Sequence, residues 1–112
     1  MILGVGIDIV EIKRFELLLE RPNFLKKYFS PDELKLRIDS LAARYAAREA
    51  FYKALTEQNL FKWSDISVVN SGSGSPIFQF ENELYKYASN KKIHLSLSHS
   101  RIMAAAFVLI EE

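Results

Sequence analysis

The sequence of 112 residues contains no cysteine. This absence excludes disulfide bonds, thiolate zinc sites and cysteine nucleophiles, and it fits a reducing compartment. There is also no long hydrophobic run, because the longest apolar stretch, residues 102–110, falls far short of the roughly 20 residues that span a bilayer. Charge of one sign is not in excess, since the formal net charge is +1. Bulk electrostatic capture of nucleic acid or of a membrane is therefore not expected.

A targeting signal is likewise missing from the first ten residues. They lack a basic segment, and Asp8 interrupts their apolar run, unlike a signal peptide. We therefore expect a soluble cytoplasmic protein that binds neither nucleic acid nor a membrane. The length suits a single domain, residues 1–112. A chain of this size buries only about two-thirds of its unfolded surface, so self-association could contribute to its stability.

Hydrophobic periodicity and turn residues predict an α+β fold with one long central helix. Ser30 with Glu33 predicts a helix start, Ser40 is predicted to cap the long helix, and the first helix is expected to end before Pro22. The predicted elements are a strand at 2–10, helices at 11–20, 23–29 and 41–57, hairpin strands at 66–69 and 77–80 around a flexible loop, a helix at 81–90, and strands at 93–98 and 103–110.

Asp8 shares one face of the first predicted strand with Gly4 and Gly6. Glycine weakens a strand, so two glycines on one face suggest that another element approaches closely. Asp8 itself has an ordinary explanation, because a carboxylate at a strand end often caps the following helix. The alternative is a metal ligand, which requires a second carboxylate nearby.

Glu49 is the candidate for that second carboxylate. It lies four residues before Lys53 on one stripe of the long helix, whereas Arg44 and Arg48 lie on a different side. Small residues occur almost all round this helix, which predicts packing on several faces. The ordinary reading is an exposed ion pair between Glu49 and Lys53, worth about 0.2–0.5 kcal/mol. If Glu49 instead meets Asp8, the two carboxylates suit Mg²⁺, which keeps waters and takes phosphate oxygens.

Three further features have ordinary readings on their own. His99 ends a serine-alternating strand, where a lone histidine is usually a structural residue. The serine- and glycine-rich loop at 70–76 lacks the lysine and the following helix of a phosphate-binding P-loop. An early basic cluster forms either a solvated face or a docking surface for an acidic partner, and its members are Lys13, Arg14, Arg21, Lys26 and Lys27.

Three segments together resemble the holo-acyl-carrier-protein synthases of the 4′-phosphopantetheinyl transferase superfamily. They are GIDIVEIKR at 6–14, RYAAREAFYKA at 44–54, which resembles the family's R-F-A-A-K-E-A-F-x-K-A, and LSLSH at 95–99 before an alanine-rich strand. Their order and spacing match over essentially the whole chain. The resemblance implies the α+β 4′-phosphopantetheinyl transferase fold.

The resemblance also implies a reaction. Such an enzyme moves the 4′-phosphopantetheine group from coenzyme A to a serine of apo-acyl carrier protein and releases adenosine 3′,5′-bisphosphate. It depends on Mg²⁺ and forms a homotrimer whose active sites lie at subunit interfaces. The short single-domain form favours the carrier protein of fatty acid biosynthesis.

Residue roles follow from the same resemblance, position by position. Asp8 and Glu49 match the catalytic metal ligands, and Lys53 matches a catalytic lysine that contacts the phosphates of coenzyme A. The proton of the carrier serine has two possible acceptors, Asp8 and a water positioned by the metal. The remaining matches are to nucleotide-binding positions at Arg44, Gly74, Pro76, Ser98 and His99, and to carrier-docking positions at Arg14 and Arg21.

The chain departs from the family pattern in three places. Arg48 stands where the family has lysine, Ser75 stands where it has the lysine of Gly-Lys-Pro, and residues 56–60 replace a Gly-Thr-Gly turn. Arg48 and the changed segment at 56–60 leave room for a non-catalytic module that binds coenzyme A or an acidic partner. A general Mg²⁺ phosphohydrolase is a third possibility, and it would cleave coenzyme A without any carrier.

Overall fold

The computed structural model describes residues 1–21 and 23–112, so the predicted helix boundary at Pro22 lies outside the described residues. The element order confirms the predicted α+β class. The elements are β1 (Ile2–Glu11), α1 (Ile12–Leu19), α2 (Phe24–Tyr28), α3 (Ile38–Ala54), β2 (Ile66–Asn70), β3 (Pro76–Phe80), α4 (Asn82–Ala88), β4 (Lys92–His99) and β5 (Met103–Glu111). Single 3₁₀ turns cover Glu33–Lys35, Gln58–Leu60 and Trp63–Asp65.

Two antiparallel sheets organise these elements. The larger has the strand order β1-β5-β4, and β2 with β3 forms a separate hairpin. Helix α3 packs across β1 and β5. Ala106 at the centre of β5 pairs with Asp8 on one side and with Leu97 on the other. Asp8 therefore lies on the face of the sheet that α3 covers.

Helix α3 lies between two hydrophobic clusters. One cluster centres on Phe51, Val108 and Ile110, and the other on Phe15 and Leu41. Alanines bury completely along both faces of the helix. Because alanine side chains are short, α3 can approach its neighbours closely on several sides, which confirms the packing predicted from its composition.

Gly4 and Gly6 are the positions where α3 touches the backbone of β1. A Cβ atom placed on Gly6 would lie 1.9 Å from the carbonyl oxygen of Ala50, and one on Gly4 would lie 1.9 Å from that of Ala54. No side chain larger than hydrogen fits there. This contact confirms the close approach predicted from the two glycines, and it seats Glu49, the neighbour of Ala50, over the strand that carries Asp8.

The predicted bounds of the long helix were wrong by three residues at each end. α3 begins at Ile38, so Ser40 lies inside its first turn, where its N–H donates to Asp39 Oδ1 at 2.8 Å. Arg37 precedes the helix without a side-chain capping bond. At the other end Leu55 turns to an extended conformation and is buried in the core. The burial of Leu55, which the local sequence does not reveal, accounts for the C-terminal end of the helix.

The predicted helix start at Ser30 forms its capping hydrogen bonds, but no α-helix follows it. The Ser30 N–H donates to Glu33 Oε1 at 3.0 Å, and the Glu33 N–H donates to Ser30 Oγ at 3.3 Å. Only the single 3₁₀ turn Glu33–Lys35 follows, because Leu36 is already extended. A capping motif marks where a helical turn can begin, whereas the length of the helix that follows depends on packing.

Period-two alternation from the sequence puts Leu3 on the same face of β1 as Val5, and this prediction was wrong. The strand register is irregular between Ile2 and Gly4, and Leu3 packs against the Phe51 cluster instead of sharing the outer face with Val5. From Gly4 onward the alternation holds. None of the helices in the described ranges is long and apolar enough to cross a bilayer.

Candidate functional site

A cavity of about 430 Å³ lies where β1, α1 and α3 meet. Asp8, Arg14, Tyr45 and Glu49 are among its lining residues, and we call it the carboxylate cavity. Strand phase directs Asp8 toward α3, and the glycine contact brings α3 close enough for Glu49 to share the same space. The structure thus brings together the two carboxylates that the sequence analysis singled out.

Lys53 pairs with Asp8 and not with Glu49. Its ammonium donates to Asp8 Oδ1 and to the carbonyl oxygen of Ile7, both at 3.0 Å. The Asp8 side chain is only 16% exposed, whereas that of Lys53 is half exposed. Asp8 also does not cap α1, since Glu11 occupies that position without a side-chain capping bond. The structure therefore shows neither the capping role considered for Asp8 nor the ion pair considered between Glu49 and Lys53.

The electrostatics of Glu49 favour the presence of a cation. Burial raises the pKa of Glu49, and the charge of Asp8 raises it further, while a hydrogen bond with Tyr45 and the charge of Lys53 lower it. The pKa of Tyr45 is raised by burial and by the neighbouring Glu49. A divalent cation bound between the two carboxylates would stabilise the charged form of Glu49, which burial and the charge of Asp8 destabilise.

A pH-dependent stability follows from Glu49. Because the folded chain raises its pKa, stability is lost as pH rises from the ordinary carboxyl pKa, about 4.3, through the raised value. In metal-free buffer, Glu49→Gln should therefore raise the midpoint of thermal unfolding at pH 7, with the gain disappearing toward pH 4. Glu83→Gln, at an exposed pair with Lys86, is the matched control and should change little. A lower midpoint for Glu49→Gln at pH 7 would contradict the inference.

A second cavity, of about 520 Å³, lies on another side of α3. Arg44 and Arg48 line it, and we call it the arginine cavity. The helical wheel correctly separated these arginines from Glu49. Arg44 is 8% exposed, and its Nη2 donates to Asn70 Oδ1 at 3.4 Å. Among the described residues its Nε finds no acceptor, and burial lowers the pKa of the guanidinium.

The β2–β3 hairpin stands next to Arg44. Asn70, which accepts its hydrogen bond, pairs with Pro76 at the base of the hairpin. Gly74 lies in the turn with a φ of +90°, a conformation that favours glycine, and its N–H donates to the Ser71 carbonyl at 2.8 Å. The structure therefore places Arg44 near Pro76, with Gly74 further along the exposed turn.

Arg48 forms a buried ion pair that the sequence did not predict. Its side chain is 0% exposed and binds the Glu33 carboxylate through both Nη atoms. Nη2 also donates to the carbonyl oxygen of Ile66 at 3.0 Å. The residue that replaces the family's lysine thus ties α3 to the 3₁₀ turn and to β2. The signal in the sequence was Glu33 itself, read there only as a capping residue.

Ser98 and His99 at the end of β4 lie on opposite faces of the sheet. His99 Nδ1 lies 3.9 Å from Oδ2 of Asp39, in the first turn of α3. Ser98 pairs with Ala105, which pairs with Ile9 on the outer face of the sheet. Within one chain, Ser98 therefore lies on the face opposite Asp8.

The two predicted docking arginines are both exposed. Arg14 is an exposed residue of α1 and lines the carboxylate cavity. Arg21 is exposed just beyond the end of α1. The structure therefore places Arg14, but not Arg21, at the edge of this cavity.

No cluster of three or more acidic or histidine side chains suited to a metal occurs within residues 1–21 and 23–112. The carboxylate cavity is lined by Asp8, Glu11 and Glu49, of which only Glu11 is exposed. The two partly buried carboxylates fit Mg²⁺, which binds through one or two carboxylates together with waters and substrate phosphates.

Comparison with known proteins defines the class. The sequence model of the 4′-phosphopantetheinyl transferase superfamily matches residues 4–106. The chain therefore belongs to this superfamily.

Its relatives narrow the class further. The holo-[acyl-carrier-protein] synthase of Clavibacter sepedonicus is 41% identical, with 99% of this chain and 97% of the relative covered. That of Clostridium tetani is 42% identical at the same coverages. Within the superfamily, the chain is thus a member of the holo-acyl-carrier-protein synthase family, which confirms the resemblance read from the three segments.

Solved structures agree with the fold. The holo-[acyl-carrier-protein] synthase of Neisseria meningitidis superposes with a TM-score of 0.85 at 28% identity, over the full length of both chains. The synthase of Bacillus anthracis, solved in complex with CoA, superposes with a TM-score of 0.82 at 33% identity, over 100% of this chain and 98% of the other.

Proposed function

We propose that this chain transfers the 4′-phosphopantetheine group of coenzyme A to a serine of apo-acyl carrier protein and releases adenosine 3′,5′-bisphosphate. The observation that carries the proposal is the carboxylate cavity, where Asp8 and Glu49 meet with Lys53 bound to Asp8. Membership of the holo-acyl-carrier-protein synthase family supplies the reaction.

Asp8 and Glu49 would hold Mg²⁺ in this cavity, and Lys53 is the adjacent cation. Bound there, Mg²⁺ would neutralise the oxygens of the diphosphate and so ease departure of the leaving phosphate. Lys53 is half exposed on a long flexible stem, so its ammonium can move from Asp8 to a phosphate oxygen. Asp8 then holds an oxygen that can accept the proton of the attacking serine.

The nucleotide end of coenzyme A is assigned to residues outside the carboxylate cavity. Arg44 offers a buried guanidinium whose Nε has no acceptor in the described part of the chain, and an anion such as the 3′-phosphate suits it. Gly74 and Pro76 belong to the neighbouring hairpin, and Ser98 and His99 to the end of β4. Ser98 lies on the face of the sheet opposite Asp8, and none of these four residues lines the carboxylate cavity, which supports a site shared between subunits.

In a homotrimer, residues of two neighbouring subunits would form each active site. The outer face of the sheet carries exposed apolar side chains, with Val5 54% exposed and Ile7 and Ile9 each 61% exposed, next to Phe107 at 42%. An apolar face of this kind in a soluble domain marks an interaction surface. We propose that copies of the chain cover it in the trimer, and the mass measured by sedimentation would test this.

The wider setting follows from the family. We propose that residues 1–112 act as one domain in the cytoplasm, on the acyl carrier protein of fatty acid biosynthesis. Arg14 beside the carboxylate cavity and Arg21 beyond α1 would bind an acidic carrier, because their positive charges complement a negatively charged surface.

The proposal is tested by incubating the chain with coenzyme A, Mg²⁺ and apo-acyl carrier protein and weighing the carrier. The carrier should gain the mass of phosphopantetheine, and Asp8→Ala or Glu49→Ala should lower the rate at least about a thousandfold because both groups act in the transition state. Glu83→Ala, an exposed acidic residue of α4, is the control and should keep wild-type turnover.

Other outcomes identify other functions. Binding of coenzyme A without release of adenosine bisphosphate would show a non-catalytic module. Cleavage of coenzyme A without a carrier would show a phosphohydrolase. Near-normal turnover of either alanine variant would overturn the metal assignment.

A further inference from the structure

Lys53 binds an oxygen of Asp8 at the rim of the carboxylate cavity. Its ammonium donates to Asp8 Oδ1 and to the carbonyl oxygen of Ile7, both at 3.0 Å. Lys53 does not belong to the described lining of the cavity, so it reaches these two oxygens from outside. One of the two carboxylates assigned to the metal therefore already binds a cation that the chain itself supplies.

The ammonium of Lys53 can leave Asp8 at little cost. Lys53 lies in the last turn of α3, and its side chain is 52% exposed, against 16% for Asp8. An ion pair with one partner largely in water contributes little, because water solvates the released ammonium well. The shielded carboxylate of Asp8 thus depends on a cation more than Lys53 depends on Asp8.

A divalent cation and the ammonium compete for Asp8. Both would lie beside the same carboxylate, and two cations that close repel each other strongly where water is partly excluded. The divalent cation also interacts with Glu49, which lines the same cavity as Asp8, whereas the hydrogen bonds of Lys53 go to Asp8 and Ile7. The cavity therefore favours the divalent cation over the ammonium.

We propose that Lys53 is an internal counter-cation of Asp8 that metal binding displaces, so that this lysine reaches the diphosphate of coenzyme A only after Mg²⁺ has bound, an inference that rests on the proposed function. In the metal-free chain, the ammonium stabilises Asp8 and is withheld from phosphate. In the metal-bound chain, the same ammonium has lost its carboxylate partner and is free to bind a phosphate oxygen.

Calorimetric titration of Mg²⁺ alone into the metal-free protein tests the displacement. Lys53→Met removes the competing ammonium, so it should bind Mg²⁺ about fivefold more tightly than the wild type, the factor that corresponds to an exposed ion pair. Lys86→Met is the matched control and should match the wild type, because Lys86 binds Glu83 Oε1 at 3.1 Å in an exposed pair on α4. Unchanged or weaker Mg²⁺ binding by Lys53→Met would overturn the displacement.

Binding of coenzyme A is the second test, and it is measured without a carrier protein so that no transfer occurs. With Mg²⁺ present, Lys53→Met should bind coenzyme A at least about tenfold more weakly than the wild type, because it lacks a charge-assisted hydrogen bond to phosphate. Without Mg²⁺ the two proteins should bind it alike, because Lys53 is then held on Asp8. An equal loss of affinity under both conditions would overturn the proposed order of binding.

The wild-type chain reports the displacement without any substitution. Brief acetylation followed by mass spectrometry should modify Lys53 faster when Mg²⁺ is present, because the hydrogen bonds to Asp8 and Ile7 no longer shield its amine. The exposed Lys86 should react at the same rate with and without Mg²⁺. A Lys53 rate that does not respond to Mg²⁺ would contradict the proposal.

Glu49→Gln separates a failure of the displacement from a failure of the metal site. Mg²⁺ binding that is lost in Glu49→Gln, while Lys53→Met behaves as the wild type, would overturn the displacement alone. Absence of Mg²⁺ binding by the wild type, or its retention in Glu49→Gln, would overturn the metal site and with it the displacement.

Discussion

Gly6→Ala is expected to destabilise the chain by about 3 kcal/mol or more, the upper end of the usual effect of overpacking. The new methyl group would stand 1.9 Å from the carbonyl oxygen of Ala50 and 2.9 Å from its carbonyl carbon. Both are backbone atoms of α3, so no side-chain rotation relieves the clash. The helix must move away from β1, and the alanines buried against the sheet lose their contacts with it.

Chemical denaturation of Gly6→Ala beside Gly72→Ala measures this effect. Gly72 lies in the hairpin turn, where an added Cβ meets nothing within 4 Å. The control should be neutral or slightly stabilised, because alanine restricts the unfolded chain more than glycine does. Equal free energies of unfolding for the two variants would refute the close packing of α3 on β1.

The same variant should lose transfer activity beyond its loss of stability. Moving α3 displaces Glu49 relative to Asp8, and a misplacement of about 1 Å at a reacting centre can lower a rate by roughly a hundredfold. The assay is run well below the unfolding midpoint, where the folded fraction is complete. A folded Gly6→Ala protein with normal turnover would show that this helix position does not set the site.

Glu33→Gln is expected to destabilise the chain by about 3–5 kcal/mol, the usual effect of removing one partner of a buried ion pair. The Arg48 guanidinium is wholly buried, and Glu33 accepts from both of its Nη atoms. Glutamine keeps the shape but not the charge, so the positive charge of Arg48 is left in the core with neutral acceptors alone, the new amide oxygen and the carbonyl oxygens of Ile66 and Arg44.

Asp32→Asn provides the neighbouring control. Asp32 is almost fully exposed and pairs with exposed Lys35 at 3.7 Å. Its free energy of unfolding should stay within about 0.5 kcal/mol of the wild type. The double variant Glu33→Leu with Arg48→Met should be less destabilised than Glu33→Gln, because it removes both charges. A Glu33→Gln protein as stable as Asp32→Asn would contradict a buried ion pair.

Most elements were predicted from the sequence because each has a local pattern. Strand alternation located β1 and β4, the continuous apolar run at 103–110 located β5, and the alanine-rich pattern located α3, apart from its ends. Element ends depended on burial, as Leu55 shows, and the single turn after Ser30 shows that a capping pair does not determine helix length.

The sequence by itself determined the faces of β1 and α3. Period two put Gly4, Gly6 and Asp8 together, and the helical period separated Glu49 from Arg44. These assignments are local, because they depend only on the geometry of one strand or one helix. The three matching segments then determined the family.

Only the tertiary structure decided which side chains meet. Lys53 and Asp8 are 45 positions apart, and the sequence favoured Glu49 as the partner of Lys53. Arg48 forms an ion pair with Glu33, and the Tyr45 ring stacks on Trp63. Periodicity tells which way a side chain faces, whereas its partner depends on how closely two elements pack. Here the absence of side chains on Gly4 and Gly6 sets that distance, and so places Glu49 beside Asp8.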